Sequence, residues 1–151
     1  MAKFEYKFQV LLDLKKQLEE QAKNEFGKAI ARLDREKQEL RRIEDAIRMS
    51  IDEFRVISGG RFTAGTIKRY NAFIKRMKEN AAAQKLIIKK AEEEVEQARQ
   101  LLVKAIQERE KFEKLEEKEY EKYFEEEKRL DNMIVDELVS YRSGSKSEGE
   151  K

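Results

Sequence analysis

The sequence lacks cysteine, histidine and proline altogether. Without cysteine the chain has neither a disulfide framework nor thiolate chemistry, and without histidine it has no imidazole base and no histidine-bound metal. Its 32 carboxylates form adjacent pairs by composition alone, and no nucleophile, base and orienting group stand in a specific pattern. We therefore predict a protein that is not an enzyme, with no catalytic site, no cofactor and no metal site.

Long apolar runs are missing as well. The opening stretch MAKFEYKFQVLLDLKK interrupts each apolar run with charge, and no stretch approaches the roughly 20 apolar residues that span a membrane. The 34 basic and 32 acidic residues nearly cancel, so no global field favours nucleic acid or an anionic membrane. We expect a soluble, cytoplasmic protein whose partners are chosen by local patches of charge.

Charged and helix-forming residues dominate what is present. Charged residues make up 44% of the chain and hydrophobic residues 39%, which is a poor composition for a compact domain with a thick core. Alanine, leucine, glutamate, lysine, arginine and glutamine favour helix almost everywhere. The composition therefore predicts long helices in an elongated molecule.

Apolar residues recur every seven positions in the first part of the chain. One register contains Leu12, Phe26, Leu33, Leu40, Ile47 and Phe54. A second register, offset by three positions, contains Phe8, Ala22, Ala29, Ile43 and Ile57. Two such registers form one apolar seam along a supercoiled helix, which we expect over about residues 4–57.

The same periodicity restarts after a glycine-containing stretch. One register of the second block contains Ile67, Ile74, Ala81, Ile88, Val95 and Leu102, and its companion includes Tyr70, Met77, Gln84, Ala91, Ala98, Ala105 and Phe112. Apolar residues continue at helical spacing beyond Tyr120. We predict a second, longer helix over about residues 64–139.

The stretch SGGRFTAGT, Ser58 to Thr66, separates the two blocks. Its last seven residues read G-x-x-x-x-G-T, but a phosphate-binding loop needs a lysine where Thr66 stands, and it needs a preceding strand. We therefore interpret the stretch as a turn over about residues 58–63. In that reading Gly59 or Gly60 ends the first helix in the left-handed conformation, and Thr63 caps the second.

These elements predict an all-α fold in which two long helices form an antiparallel coiled-coil hairpin. Folding back buries both seams, and facing residue numbers should sum to roughly 123. Residues beyond about 120 then have no partner in the first helix. We expect one coiled-coil domain over residues 1–141 and a disordered tail over residues 142–151, whose sequence RSGSKSEGEK lacks apolar anchors.

Four charged residues occupy seam positions toward the open end of the hairpin, opposite the turn: Lys15, Glu19, Arg109 and Glu116. Pairing among them would fix the register of the two helices. Alternatively, their long side chains reach out to water. The sequence leaves both interpretations open.

Two candidate docking surfaces follow from charge and exposure. The tip surface combines six basic residues without an acid between residues 61 and 78 with interleaved aromatics, and its candidate residues are Arg61, Lys68, Arg69, Tyr70, Phe73 and Arg76. The open-end surface combines the acidic stretch 108–127 with the overhang of the second helix, and its candidate residues are Phe4, Lys15, Arg109, Tyr120, Tyr123, Phe124 and Leu130. We interpret both as protein-binding. A fraying overhang is the alternative at the open end.

The chain resembles the FliJ family, a small component of the bacterial flagellar type III export apparatus, across nearly its whole length. The stretches that carry the resemblance are MAKFEYKFQVLLDLKK, GRFTAGTIKRYNAFIKRM and RQLLVKAIQEREKFEKLEEKEYEKYF. The resemblance implies a stalk-like coiled coil that binds the hexameric export ATPase, promotes its ring assembly, contacts the membrane export gate and helps to handle export chaperones. It also implies a peripheral position at the cytoplasmic face of the flagellar base.

Two alternatives to this interpretation follow from the residues. A generic coiled-coil spacer, or a helical arm that binds RNA through its basic tip, would have the same composition. We expect no nucleic acid partner because the positive patch is short and Tyr70 lies on the seam. We also expect a monomer, although two hairpins could pair through the apolar residues off the seam: Leu11, Leu18, Ile30, Ile87 and Leu101.

Overall fold

The structure is a computed structural model that describes residues 3–57, 59 and 62–149. Helix α1 spans Gln9–Ile57 and contains 49 residues, and helix α2 spans Ala64–Gly149 and contains 86 residues. No strand is found within the described ranges. The all-α class is confirmed, with two long helices in an antiparallel coiled-coil hairpin and the second helix the longer.

The start of α1 differs from the predicted one. Helix α1 begins at Gln9 rather than near residue 4, after a turn in which the Gln9 amide donates to the Tyr6 carbonyl over 3.1 Å. Helix α2 spans Ala64–Gly149, so its last residues enter the segment 142–151 for which the sequence predicts a tail, and residues 150–151 lie outside the described part. The hydroxyl of Ser143 donates to the carbonyl of Ser140. Such back-bonding, together with the absence of proline, is compatible with helix there.

The chain divides into two compact units. The terminal unit consists of Met1–Leu18 and Ala105–Lys151, and the tip unit consists of Glu19–Lys104. Each unit contains part of α1 and part of α2. Neither helix, over the residues described, carries an apolar stretch long enough to cross a bilayer.

Small residues form most of the buried core of the tip unit. Ala81, Ile88 and Ala91 are all at most 9% exposed, and they occupy the predicted seam registers. Alanine lets two helix backbones approach closely. Its side chain has little apolar area to bury, and burial contributes only roughly 25 cal/mol per Å² of that area. The tip unit therefore has a thin core.

Polar groups supplement that core and confirm the predicted register. The amide nitrogen of Gln84 donates to the Glu36 carbonyl over 2.9 Å and to the Glu36 carboxylate over 2.6 Å. Arg32 pairs with Glu94 over 2.8 Å. Both pairs join α1 to α2 in the predicted register, in which facing residue numbers sum to roughly 123.

The start of α2 carries the predicted cap. The Thr66 amide donates to the Thr63 hydroxyl over 3.2 Å and to the Thr63 carbonyl over 3.1 Å, so two acceptors of one residue serve the first turn. The prediction of a left-handed conformation is wrong for Gly59, whose φ is not positive. Gly60, the alternative, lies outside the described residues.

Candidate functional site

Three aromatic residues of the terminal unit, Phe4, Tyr6 and Phe8, precede α1 and pack on α2. The Phe4 ring meets the Tyr120 ring edge to face, with centroids 5.3 Å apart, and the Tyr123 ring at 5.4 Å. The Phe8 ring lies 6.5 Å from the Phe112 ring. We call residues 3–8, which precede α1, the aromatic strap.

The strap covers more of α2 than a helix of the same length would. Between the contacts of Phe8 and Phe4, α2 advances from Phe112 to Tyr120, which is about 12 Å at 1.5 Å per residue. Four helical residues would advance only about 6 Å, whereas extended chain rises about 3.3 Å per residue. Because the backbone before Gln9 is not helical, the contacts of the strap with α2 reach as far as Tyr123.

Tyr6 anchors the strap. Its side chain is 8% exposed, and its hydroxyl donates a hydrogen bond of 2.9 Å to the Phe112 carbonyl. Burial raises the pKa of this hydroxyl above its usual value, and the carboxylates of Glu116 and Glu119 raise it further. The protonated phenol is therefore the form that this position favours.

The seam charges of the terminal unit make specific contacts. The Lys15 ammonium lies 3.6 Å from the Glu108 carboxylate and 5.7 Å from the centre of the Phe112 ring. Arg109 pairs with Glu113, one turn later on α2, over 2.8 Å. Lys15 and Arg109 thus lie against carboxylates at the edge of the seam, and Lys15 joins the two helices.

The candidate residues of the open end divide into two groups. Phe4 and Tyr123 are half-buried in the strap contact, and Tyr120 touches the strap but is 51% exposed. Phe124 and Leu130 are 60% and 44% exposed.

Burial raises the pKa of the Tyr123 hydroxyl, with further increases from Glu127 and Tyr120.

Three aromatic rings stack at the tip. The Phe54 ring of α1 lies 3.9 Å from the Tyr70 ring of α2 at an interplanar angle of 14°, and 5.0 Å from the Phe62 ring at 23°. Phe62 follows directly on residues outside the described part and comes just before the Thr63 cap. The stack joins the end of α1 to the start of α2.

A shallow cavity of about 450 Å³ lies beside this stack. One face of α2 lines it with residues at helical spacing, including Thr66, Arg69, Tyr70 and Phe73. Helix α1 contributes Glu53, so the lining is not purely positive. The tip surface predicted from the sequence rested on charges between residues 61 and 78 alone, so it did not include Glu53.

The basic candidates of the tip surface differ in position. Lys68, Arg69 and Arg76 are exposed on α2, and Arg69 also lines the cavity. Phe73 lines it too and is 41% exposed. Arg61 lies outside the described residues. The Tyr70 ring is stacked on Phe54, which reduces the ring surface that a nucleic acid base could use.

Sequence periodicity did not reveal two of these features. Gln84 lies in a predicted seam register, but its hydrogen bonds to Glu36 depend on which residues face across the hairpin. Tyr6 belongs to neither heptad register, and alternation of aromatics at positions 4, 6 and 8 was the available signal. Among the described residues no cluster of acidic side chains has the arrangement of a metal site.

The chain was also compared with known proteins. It matches the family model described as "Flagellar FliJ protein" over residues 4–148. No curated protein and no solved structure matches it. The match spans both helices and includes every candidate residue of the two docking surfaces.

Proposed function

The chain belongs to the FliJ family, and from that premise we propose that it is a stalk-like coiled coil which binds the hexameric export ATPase and promotes its ring assembly. It couples the ATPase to the membrane export gate and to export chaperones. Family membership makes the chain a component of the flagellar export apparatus, and in this proposal it acts there without catalytic activity of its own. Its proposed place is the cytoplasmic face of the flagellar base, as a monomer.

The closed terminal unit is the observation that supports ATPase binding. The segments Phe4–Leu18 and Glu108–Leu130 are held together by the aromatic strap and by the Lys15 to Glu108 ion pair. A stalk that enters a ring needs paired helices that do not separate, and the strap lengthens the paired part. We assign these segments to the ATPase ring.

The surface charge of this unit supports the same assignment. Between Glu108 and Glu127 the chain carries ten acids and five bases. Such an excess orients the unit toward a positively charged surface and raises the association rate, particularly at low salt. Phe124, with its exposed ring, adds apolar contact area within this acidic stretch.

The tip surface is assigned to the export gate. Lys68, Arg69 and Arg76 provide exposed positive charge, and the cavity beside Tyr70 and Phe73 offers apolar surface. A basic rim around an apolar depression suits a partner segment with acidic and apolar side chains. The two ends of the hairpin would then serve two different partners.

The direct test uses the full chain and its cognate export ATPase. We expect the chain to increase both hexamer formation, followed by sedimentation velocity, and ATP hydrolysis at limiting ATPase concentration. The variant Phe124→Asp should weaken both effects by about tenfold, because it puts a charge where an exposed ring would be buried. Its exposed position means that folding should not depend on the ring.

A matched variant separates the two ends. Arg69→Glu combined with Arg76→Glu should leave ATPase stimulation unchanged and should reduce binding to the purified cytoplasmic part of the export gate. Circular dichroism checks that each variant keeps its helices. If the wild-type chain changes neither ring assembly nor ATP hydrolysis, the proposed function is wrong; if the tip variant lowers stimulation as much as Phe124→Asp, the assignment of ends is wrong.

A further inference from the structure

One stripe of α2 continues past the point where the strap covers it. Residues spaced by three or four positions lie on one helix face, and this face carries Tyr120, Tyr123, Glu127, Leu130, Ile134, Leu138 and Tyr141. Phe4 packs on the first two. From Lys128 to Ser145, every side chain is exposed. We call Leu130, Ile134, Leu138 and Tyr141 the open stripe.

The open stripe exposes a large apolar surface. Leu130 is 44% exposed, Ile134 56%, Leu138 60% and Tyr141 77%. A single amphipathic helix is marginally stable in water without packing on its apolar face. Contiguous exposed apolar patches of this kind mark interaction sites more often than isolated surface hydrophobes do.

Continuity with the strap contact indicates the kind of partner. In the terminal unit the same face of α2 is covered first by α1, where the Lys15 ammonium lies over the Phe112 ring, and then by the strap. Residues 128–145 extend that face by about five helical turns. A helix laid along the open stripe would continue the existing two-stranded packing with the same period.

Charges beside the open stripe specify the partner further. Glu126 and Glu137 flank it on one side, Asp131 and Arg142 flank it on the other, and Glu127 lies within the face, so acids outnumber bases there by four to one. The Arg129 guanidinium lies 2.7 Å from the Glu126 carboxylate and offsets part of its charge. Flanking positions of a coiled coil select partners by opposite charge, so this stripe favours lysine and arginine beside the apolar seam of its partner.

The same charges disfavour a parallel pair of two copies of the chain. In that pair, Glu126, Glu127, Asp131 and Glu137 would each lie near their own equivalents, and facing like charges destabilise helix pairs. In an antiparallel pair centred on Ile134, the repulsion between Asp131 and Glu137 would be offset by the attraction between Glu126 and Arg142, so the charges do not select that pair.

We propose that the open stripe is a docking site for a basic amphipathic helix of another protein. The occupant carries apolar residues at a seven-residue period with lysine or arginine at the flanking positions. This site shares only Leu130 with the segments assigned to the ATPase ring, and it is separate from the tip surface. Its existence does not depend on either of those assignments.

The test uses the full chain and a synthetic peptide of four heptads with leucine at the two seam positions and lysine or arginine at the flanking ones. Binding is measured by fluorescence anisotropy with labelled peptide. Leu138→Asp should weaken binding by about tenfold or more, because one buried leucine is replaced by a charge.

Val139→Asp is the matched control. Val139 is the next residue and is 61% exposed, against 60% for Leu138, but it lies about 100° away around the helix. Both variants add one negative charge, so they change the general attraction to a basic peptide equally. We expect affinity for Val139→Asp to stay within about twofold of wild type.

A second peptide, with glutamate at the flanking positions, tests the charge argument. It should bind at least about tenfold more weakly than the basic peptide at low salt, and the difference should narrow as salt increases. Equal affinity for the two peptides, or equal loss in Leu138→Asp and Val139→Asp, would overturn the proposal. So would dimerisation of the chain that Leu138→Asp abolishes in sedimentation equilibrium, since the occupant would then be a second copy.

Failure of this site and failure of the proposed function are distinguishable. Leu138→Asp should stimulate the export ATPase as the wild type does, because Leu138 lies outside the segments assigned to the ring. Thermal unfolding followed by circular dichroism should be the same for both variants, since both side chains are exposed. If the wild-type chain binds the basic peptide but leaves the ATPase unaffected, the docking site is supported and the proposed function is wrong.

Discussion

The terminal unit and the tip unit hold α1 against α2 by different means. In the terminal unit, Leu12 is 1% exposed, and an aromatic strap with non-helical backbone lengthens the contact. In the tip unit, the buried core consists mainly of Ala81, Ile88 and Ala91, with Gln84 among them. The buried residues of the terminal unit are large, whereas those of the tip unit are mainly small or polar, and the aromatic stack of the tip unit is confined to its turn end.

The difference shows how stability and specificity can be separated along one coiled coil. Burial of a large side chain contributes the most free energy, roughly 1.5–3 kcal/mol for a leucine. A buried polar group such as Gln84 contributes less, but it favours the register in which its hydrogen bonds are made. We therefore expect the terminal unit to be sensitive to loss of apolar volume and the tip unit to loss of register.

The largest expected effect concerns Leu12. Leu12→Ala should lower the free energy of unfolding by about 2–5 kcal/mol, since it leaves a cavity at a position that is only 1% exposed. Chemical denaturation followed by circular dichroism gives the total effect, and native-state hydrogen exchange should show faster exchange in the terminal unit. Leu14→Ala is the control because Leu14 is 45% exposed, and its effect should be within about 0.5 kcal/mol. Equal losses in the two variants would contradict the structure.

A smaller effect is expected at the cap of α2. Thr63→Ala should destabilise the chain by about 1 kcal/mol, because the Thr66 amide loses its side-chain acceptor. Hydrogen exchange at the start of α2 should accelerate most. Thr63→Ser retains an acceptor and should recover most of the loss. No difference between alanine and serine at this position would show that the hydroxyl does not act as a cap.

Register is expected to change more than stability at Gln84. Gln84→Leu removes both hydrogen bonds to Glu36 and adds apolar volume, so total stability should change by less than about 1.5 kcal/mol. Because the chain has no cysteine, cysteines placed at positions 32 and 94 can be joined selectively by a short bifunctional maleimide. We expect efficient cross-linking in an otherwise unchanged chain and less in Gln84→Leu.

Cysteines displaced by one heptad, at positions 32 and 101, report the alternative register. They should cross-link poorly in the otherwise unchanged chain and better when Gln84→Leu is added. If both cysteine pairs behave identically with and without that substitution, Gln84 does not specify register.

The smallest expected effect is a pH dependence at Tyr6. Burial and then Glu116 and Glu119 raise the pKa of its hydroxyl above 10.0, so the folded chain holds this proton more tightly than the unfolded chain. The contribution is complete below pH 10 and is lost as the pH rises through the folded-state pKa. Thermal midpoints should therefore fall above about pH 10, and Tyr6→Phe should fall less steeply. Tyr141→Phe, at a position 77% exposed, should follow the wild type.

Much of the fold could be predicted because a seven-residue period is a local property of the sequence. The seam registers identified α1, α2 and their antiparallel pairing, and the short turn set a register that Gln84 and Glu36 satisfy. The ends were less predictable. Gln9 begins α1 because the strap packs better as non-helical chain, and helical periodicity carries no information about that choice.

The candidate site was predictable in composition but not in geometry. Basic residues near Arg69 and aromatics near Tyr120 follow from counting charges and apolar side chains. Counting could not place Glu53 of α1 beside Arg69 of α2, because the residues are distant in sequence. The predicted register left α2 without a partner beyond about residue 120, whereas the contact of Phe4 covers it as far as Tyr123.

The sequence by itself determined the helical class, the period of the apolar seam and the polarity of charge along the chain. These properties depend on propensity and spacing, which are encoded over a few neighbouring residues. The tertiary structure decided the hydrogen bond from Tyr6 to Phe112, the stack of Phe54 on Tyr70 and the point at which α2 loses its cover. Those contacts depend on the rise of non-helical chain and on which side chains face across the hairpin, and only the folded chain brings these partners together.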